Sequence, residues 1–258
     1  MVFVVSILVL GLLVIGYWLY RSRQISRLEE NEISHFSDLG FVDFHLESTW
    51  TTLSKRMETE GISFGIWKKL EIGNGIELWG IPEKGVFSVF SPFFRSDKFP
   101  AESVKTVTSD LGDGFEVLKV KDQTLVTEKI PFTPHKSGDV YLTAFAIELT
   151  AYDSIEMYES QVRASFQKQL ISLSVLKMEE FGEHWTPSAD AVFSGLVSDY
   201  DKMINPETNK EFWLIRVDTG DGFTLPIVAD PRLLDRFPQK KNVLVGQVYL
   251  LSSETERT

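Results

Sequence analysis

Residue types that carry chemistry occur throughout this chain, but nowhere at the spacing chemistry requires. His35, His45, His135 and His184 are scattered and never fall at i,i+3 or i,i+4, so a metal site would need tertiary convergence that the sequence does not show. Cysteine is absent, which removes disulfides, thiol catalysis and thiolate ligation together. Asp110, Gly112, Asp113 and Gly114 in SDLGDG look superficially like a calcium loop, as do Asp218, Gly220, Asp221 and Gly222. Such a loop needs ligands at alternating positions and a distal glutamate on a helix; here the flanks read as extended, so both segments are expected to be turns. The glycines of GISFG and GNG form no phosphate loop, and no GxSxG is present. With 37 acidic residues a carboxylate pair could assemble in three dimensions, yet the spacing nominates none. Catalytic residues stay unassigned, and neither cofactor nor metal is expected.

Charge narrows the partners. The formal net charge of -11 repels phosphate backbones and anionic lipid surfaces. Phe193, Tyr200, Phe212, Trp213 and Phe223 could in principle stack bases, but from Ala191 onward acidic residues outnumber basic ones. Single-strand binding needs an electropositive groove, so these aromatics are expected to be core and nucleic acid is disfavoured as a partner.

The longest apolar run sets the expected location. Val2 to Tyr20 is nineteen residues without a charge, about 28 Å as a helix, which matches the hydrocarbon core of a bilayer. Val2, Leu10 and Leu12 belong to its apolar body. Tyr17, Trp18 and Tyr20 would sit at headgroup level, and Arg21, Arg23 and Arg27 mark the cytoplasmic side. No small-residue cleavage site follows the run, so it is expected to be an uncleaved signal-anchor. Gly11 and Gly16 lie five apart, which is not the close-packing GxxxG spacing. The expectation is a single-pass protein of a bacterial inner membrane or its equivalent, bound to the lipid bilayer through this helix, with its C-terminal domains cytoplasmic.

Stepping along the chain gives the elements that would position any site. Residues 21–39 form a short connector, basic and then acidic. GFVDFHL alternates as a strand, with Val42, Phe44 and Leu46 inward. Leu46, Trp50, Leu53 and Met57 then share one face of a helix over 48–60, capped by Ser48 and ended by Gly61. Strands follow in ISFGIWKKLEI and GIELWGI around the Gly73–Gly75 turn, and in VFSVFSPFF. Val140 to Leu149 is expected to be a central strand. A helix over 154–170 opens on Asp153 and Glu156, and a strand over 171–175 follows it. Strand, helix, strand, strand, then strand, helix, strand is the split βαβ order. The expected fold class is therefore α+β: a transmembrane helix over 1–20, a ferredoxin-like antiparallel sheet domain with inserted strands over 40–185, and a small OB-like or SH3-like β-barrel over 186–258, with Gly195 and Gly246 relieving tight bends. A helix face through Val192, Phe193, Leu196, Val197 and Tyr200 is the competing assignment for the start of that barrel.

This arrangement resembles the ZipA-type membrane anchors of the bacterial division ring. The resemblance lies in an anchor helix followed by arginines, in GFVDFHLE, helix 48–60 and GISFG, and in the strand at Val140 to Leu149 before helix 154–170. It implies binding of a partner's C-terminal tail in an apolar groove without catalysis. The long Pro/Gln-rich linker of that family is missing here, and the barrel is additional. The functional expectation is a non-enzymatic adaptor or accessory subunit of a membrane-associated complex, working through protein partners. The alternatives are a carboxylate-based enzyme and a nucleic-acid- or glycan-binding barrel.

Overall fold

Two sheets take up all thirteen described strands. The computed structural model describes residues 34–41, 47–83, 86–108, 114–131, 137–181, 186–234, 236 and 238–254. The chain divides into two units, Met1–Ser34 and His35–Thr258, and every described element belongs to the second.

The smaller sheet is an antiparallel meander of β1 (Ile62–Phe64), β2 (Trp67–Gly73), β3 (Ile76–Glu83) and β4 (Val86–Phe94). Asn74 and Gly75 join β2 to β3 with φ of 52° and 82°, the two positive angles that a tight primed hairpin turn demands. Helix α1 (Glu47–Glu60) precedes the sheet and buries Leu53 and Met57, four residues apart on one face. Its Trp50 meets Phe90 of β4 edge-on, with ring centroids 4.5 Å apart.

The larger sheet contains a duplication. Strands β5 (Lys98–Thr108), β6 (Gly114–Val120) and β7 (Gln123–Lys129) form a meander that leads to the long strand β8 (Ser137–Tyr152). After helix α2 (Ile155–Val162), the short strand β9 (Gln169–Ser172) and helix α3 (Leu173–Phe181), the plan recurs. Strands β10 (Asp190–Ile204), β11 (Glu211–Gly220) and β12 (Phe223–Ala229) form a second meander, and β13 (Val243–Glu254) is its long strand. Each long strand runs antiparallel to the first strand of its own meander and parallel to the third strand of the other. β8 and β13 also pair with each other, antiparallel, from Val140 to Tyr152. Two rings of strand pairing close on that shared ribbon.

The halves agree in register. Phe99 opposite Val140 is matched by Phe193 opposite Gly246, and Glu116 opposite Thr127 by Ile215 opposite Ile227. Leu251 beside Glu128 is matched by Phe145 beside Val228. Both first strands carry a bulge at the same place, between Ser103 and Lys105 and between Val197 and Asp199. An approximate two-fold relates the halves and passes beside the Ala144–Leu250 pair.

One face of the ribbon lines the inside of both rings, where Leu142, Ala144, Ala146, Leu244, Val248 and Leu250 join the first core. The other face carries Phe145 and Leu251 into a second core with the smaller sheet and α1. This arrangement corrects the expected fold class. Instead of a ferredoxin-like sheet and a separate C-terminal barrel, one large sheet draws strands from both sides of Phe181–Asp190. The expected barrel needs β8 to close, because the free edge of β12 pairs with β8 at Ala144 and Phe145. The helix expected over 154–170 stops at Val162, where Arg163 takes a left-handed conformation with φ of 59°. The strand expected over 171–175 becomes β9 followed by α3. The start of the expected barrel is a strand, β10, in place of the competing helix face through Val192 and Tyr200, and the helix around 48–60 is α1.

The membrane expectations are corrected as well. Among the described residues no helix is long and apolar enough to cross a membrane, and the described chain is mainly β. The single-pass, signal-anchor and cytoplasmic-side assignments are withdrawn on that ground. Val2, Leu10, Leu12, Tyr17, Trp18, Tyr20, Arg21, Arg23 and Arg27 lie outside the described residues, as do residues 42–46 of the strand expected in GFVDFHL, 40–46.

Gly246 on the ribbon has no room for a side chain: a Cβ there would lie 2.0 Å from the carbonyl oxygen of Glu148. Substitution must separate β13 from β8 locally. Gly246→Ala is expected to cost about 1–3 kcal/mol, the usual range for overpacking, read as a lower urea midpoint. An unchanged midpoint would show that the ribbon yields freely at this point.

Candidate functional site

The β1–β2 hairpin presents apolar side chains to solvent at the edge of the smaller sheet. Ile62 is 52% exposed and Ile66 is 70% exposed, while Phe64 and Trp67 are half-buried. Gly65 leads the two-residue loop with φ of 59°, which leaves Ile66 at its tip. An isoleucine at a hairpin tip satisfies no local need of the turn, since Gly, Asn and Asp are the residues that turns favour. Among the described residues no strand pairs with the outer edge of β1. An exposed apolar strand edge is a template for pairing with another chain unless it is blunted by charge, proline or cover.

Behind that edge a charged and aromatic cluster holds the hairpin. Glu71 and Glu77 are cross-strand neighbours on β2 and β3, a like-charge pairing that is unfavourable by itself. Buried Lys69 relieves it, with Nζ 3.0 Å from Glu71 Oε1 and 3.7 Å from Glu77 Oε1. Arg95 adds a second cation, 3.2 Å from Glu71 and hydrogen-bonded to Glu77. Trp79 Nε1 donates to Glu77 Oε2 at 3.1 Å. The hydrogen bond from Lys69, against partial desolvation, holds the Glu71 carboxyl below its usual range. Lys69 Nζ also lies 5.3 Å from the centroid of the Phe64 ring and 5.8 Å from that of Trp79, within cation–π reach of both. Phe64 is thereby packed from behind by Lys69 and by the Trp79 ring, 5.3 Å away between centroids.

Polar groups also gather away from this edge. Asp38 and Asp230 are both buried where the segment 35–41 crosses the end of β12. Asp38 Oδ1 accepts the Asp230 backbone N–H at 2.9 Å, and Asn205 Nδ2 donates to the Leu39 carbonyl at 2.7 Å. The Asp230 carboxylate caps the turn that follows it and pairs with Arg232. Asp38 Oδ2 faces His35 Nδ1 at 4.0 Å, too far for a hydrogen bond. Burial pushes the Asp38 carboxyl up from 3.8 to about 6, against the pull of His35 and the Asp230 amide. The group is closed to solvent, so it offers no substrate a route. A second place is an open depression of about 500 Å³ lined by Asp199, Tyr200, Gln239 and Lys240, in which Lys240 pairs with Asp199 at 3.0 Å.

The residues singled out from sequence distribute as follows. Phe193, Phe212, Trp213 and Phe223 are buried in the two cores, so none of them offers a stacking platform, and Tyr200 is half-buried at the depression. Asp221 and Gly222 form the β11–β12 turn with positive φ, and Asp218 accepts the Gly220 N–H at 3.0 Å while pairing with Lys168. Among the described residues no group of three His, Asp or Glu is placed to hold a metal. His45, His135, His184, Asp110, Gly112 and Asp113 lie outside the described residues, and Gly114 opens β6. The segment ISFGIWKKLEI, expected as strand, leaves Ile62 and Ile66 exposed, which its alternation alone does not show. The available signal was Ile66 directly after a turn glycine. Compared with family models, with curated proteins and with solved structures, the chain matches none.

Because folding raises the Asp38 pKa, the folded protein binds a proton that the unfolded chain releases. The stability this group contributes is full below pH 3.8 and is lost as pH rises through about 6. A shift of that size corresponds to about 3 kcal/mol. Asp38→Asn keeps an acceptor for the Asp230 amide and removes the charge. It is expected to raise the urea midpoint at about pH 8 and to leave it near the wild-type value at about pH 4. Equal midpoints at both pH values would show that Asp38 is not held neutral by burial.

Proposed function

We propose that this chain is a non-enzymatic adaptor or accessory subunit that binds a protein partner by accepting an extended segment along β1. The observation that carries this reading is the apolar edge at Ile62, Phe64, Ile66 and Trp67, which no strand pairs with among the described residues and which Lys69 and Arg95 brace from behind. A partner strand laid there gains backbone hydrogen bonds from β1 and shields Ile62 and Phe64 from water. Burying the exposed part of two isoleucines and two aromatics contributes on the order of several kcal/mol before ordering costs. The enzyme alternative draws less support. The carboxylate with a strongly raised pKa, Asp38, is enclosed, and the open depression at Asp199 contains an ion pair in place of a strained acid.

The test uses Ile62→Lys with Ile66→Lys, two exposed positions whose replacement should leave the unfolding midpoint within about 0.5 kcal/mol of wild type. A photo-crosslinking side chain at Ser63, on the same edge, should capture a partner in cells with the native edge and lose it with the lysines. Addition of that partner should slow amide exchange at Ile62 to Phe64. Retention of the same partner by the folded double-lysine protein would contradict the docking assignment.

A further inference from the structure

The interior of the first ring holds charged side chains that its twin does without. Glu116 on β6 and Lys129 on β7 are both buried, and Lys129 Nζ lies 3.6 Å from Glu116 Oε2. Lys129 Nζ also donates to Glu254 Oε1 of β13 at 2.7 Å, and Glu254 is 32% exposed at the end of the ring. Neither oxygen of Glu116 receives a hydrogen bond among the described residues. Thr127 stands opposite Glu116, and its hydroxyl bonds that of Ser252 at 2.8 Å. The corresponding four places in the second half, for Glu116, Thr127, Lys129 and Ser252, are Ile215, Ile227, Ala229 and Ala146. All four are buried. The same architecture therefore closes over an aliphatic interior, and packing does not require the charged set. A buried carboxylate without donors is costly, so its retention at this point asks for a chemical reason.

We propose that Lys129 and Glu116 are joined by an intramolecular amide bond formed after folding. A proton passing from the Lys129 ammonium to the Glu116 carboxylate leaves an amine and a carboxylic acid, the neutral pair that an apolar interior favours over separated charges. The Lys129 nitrogen attacks Glu116 Cδ, forming the N–C bond of a tetrahedral adduct. Glu254, already hydrogen-bonded to that nitrogen, takes one of its protons and returns it to the departing hydroxyl. The C–O bond breaks and one water leaves, with no oxidant or reductant required. The fold supplies the proximity that makes the condensation effectively unimolecular, with the amine held beside the carboxyl it attacks and bulk water kept out. Glu254 reaches solvent and can exchange the protons involved. The product removes both buried charges, and the amide links β6 to β7 inside the ring. This proposal is independent of the docking edge.

Intact-mass spectrometry of the purified full chain tests it. The expected mass is lower than the sequence mass by one water molecule. Dehydration at Asp113–Gly114 or Asp221–Gly222 would give the same change, so tryptic mapping must locate the loss. The expected product is a branched peptide in which 106–119 is attached to 122–136, uncut after Lys129. Lys129→Met should restore the mass calculated for its own sequence. Glu254→Gln should leave a measurable fraction unlinked after refolding, whereas complete linkage at the wild-type rate would overturn the role given to Glu254. The full sequence mass in the wild-type chain, with normal cleavage after Lys129, would overturn the proposal.

Discussion

From Val140 to Tyr152, β8 runs antiparallel to β13, and each of the two rings closes on this one ladder. Remove it and the outer strands of both meanders lose their long partners: β5 and β12 would lose β8, and β7 and β10 would lose β13, which leaves β10 only the short β9 outside its own meander. The ladder also divides the protein into its two cores, with Ala144 and Leu250 toward the inside of the rings and Phe145 and Leu251 toward the smaller sheet. This explains why small residues fall where they do. Gly246 lets β13 approach β8, and Gly195 lets β10 pass within contact of Val217 and Asp218. A side chain at either place would push apart strands that both rings need.

Much of the local structure was legible because it depends on neighbours in sequence. Asn74 and Gly75, and Asp221 and Gly222, are turn residues by backbone preference alone, and Leu53 with Met57 declares a helix face by spacing. The architecture was not legible in the same way. β8 reads as a central strand, but nothing in VYLTAFAIEL says that it pairs with β13 along its length, with β5 at its start and with β12 at its middle. Long-range pairing of this kind is set by what the whole sheet can bury, and a left-to-right reading of periods takes adjacent elements as partners. The split βαβ expectation arose that way, by joining the helix at 48–60 and the start of α2 to strands that belong to different sheets. The duplication left a trace that could have been found: Leu125 and Leu225, and Pro131 and Pro231, stand at equal spacing after similar tight turns.

The candidate site illustrates why function was harder to read than fold. Ile62 is an ordinary strand residue in sequence and Ile66 stands out only by following a turn glycine; the sheet order is what shows that, among the described residues, β1 is an edge. Lys69 and Glu77 look like surface charges, yet both are buried, sharing an ion-pair network with Glu71 and Arg95. The same holds for Glu116 and Lys129, thirteen residues apart and brought together by the β6–β7 hairpin. In each case the informative fact is a mismatch between residue type and environment. An apolar group in water and a charge in the core both require the tertiary structure before they can be seen.

Native-state hydrogen exchange in rising denaturant tests the dependence of both halves on the shared ribbon most directly. If each ring closes only through β8 and β13, protected amides of β6 and β7 and of β11 and β12 should converge on one opening free energy and one denaturant slope. Those values should equal the ones for global unfolding and for the ribbon itself. If one meander exchanges through a smaller opening while the other half stays protected together with β8 and β13, the halves are separable units and the account is wrong.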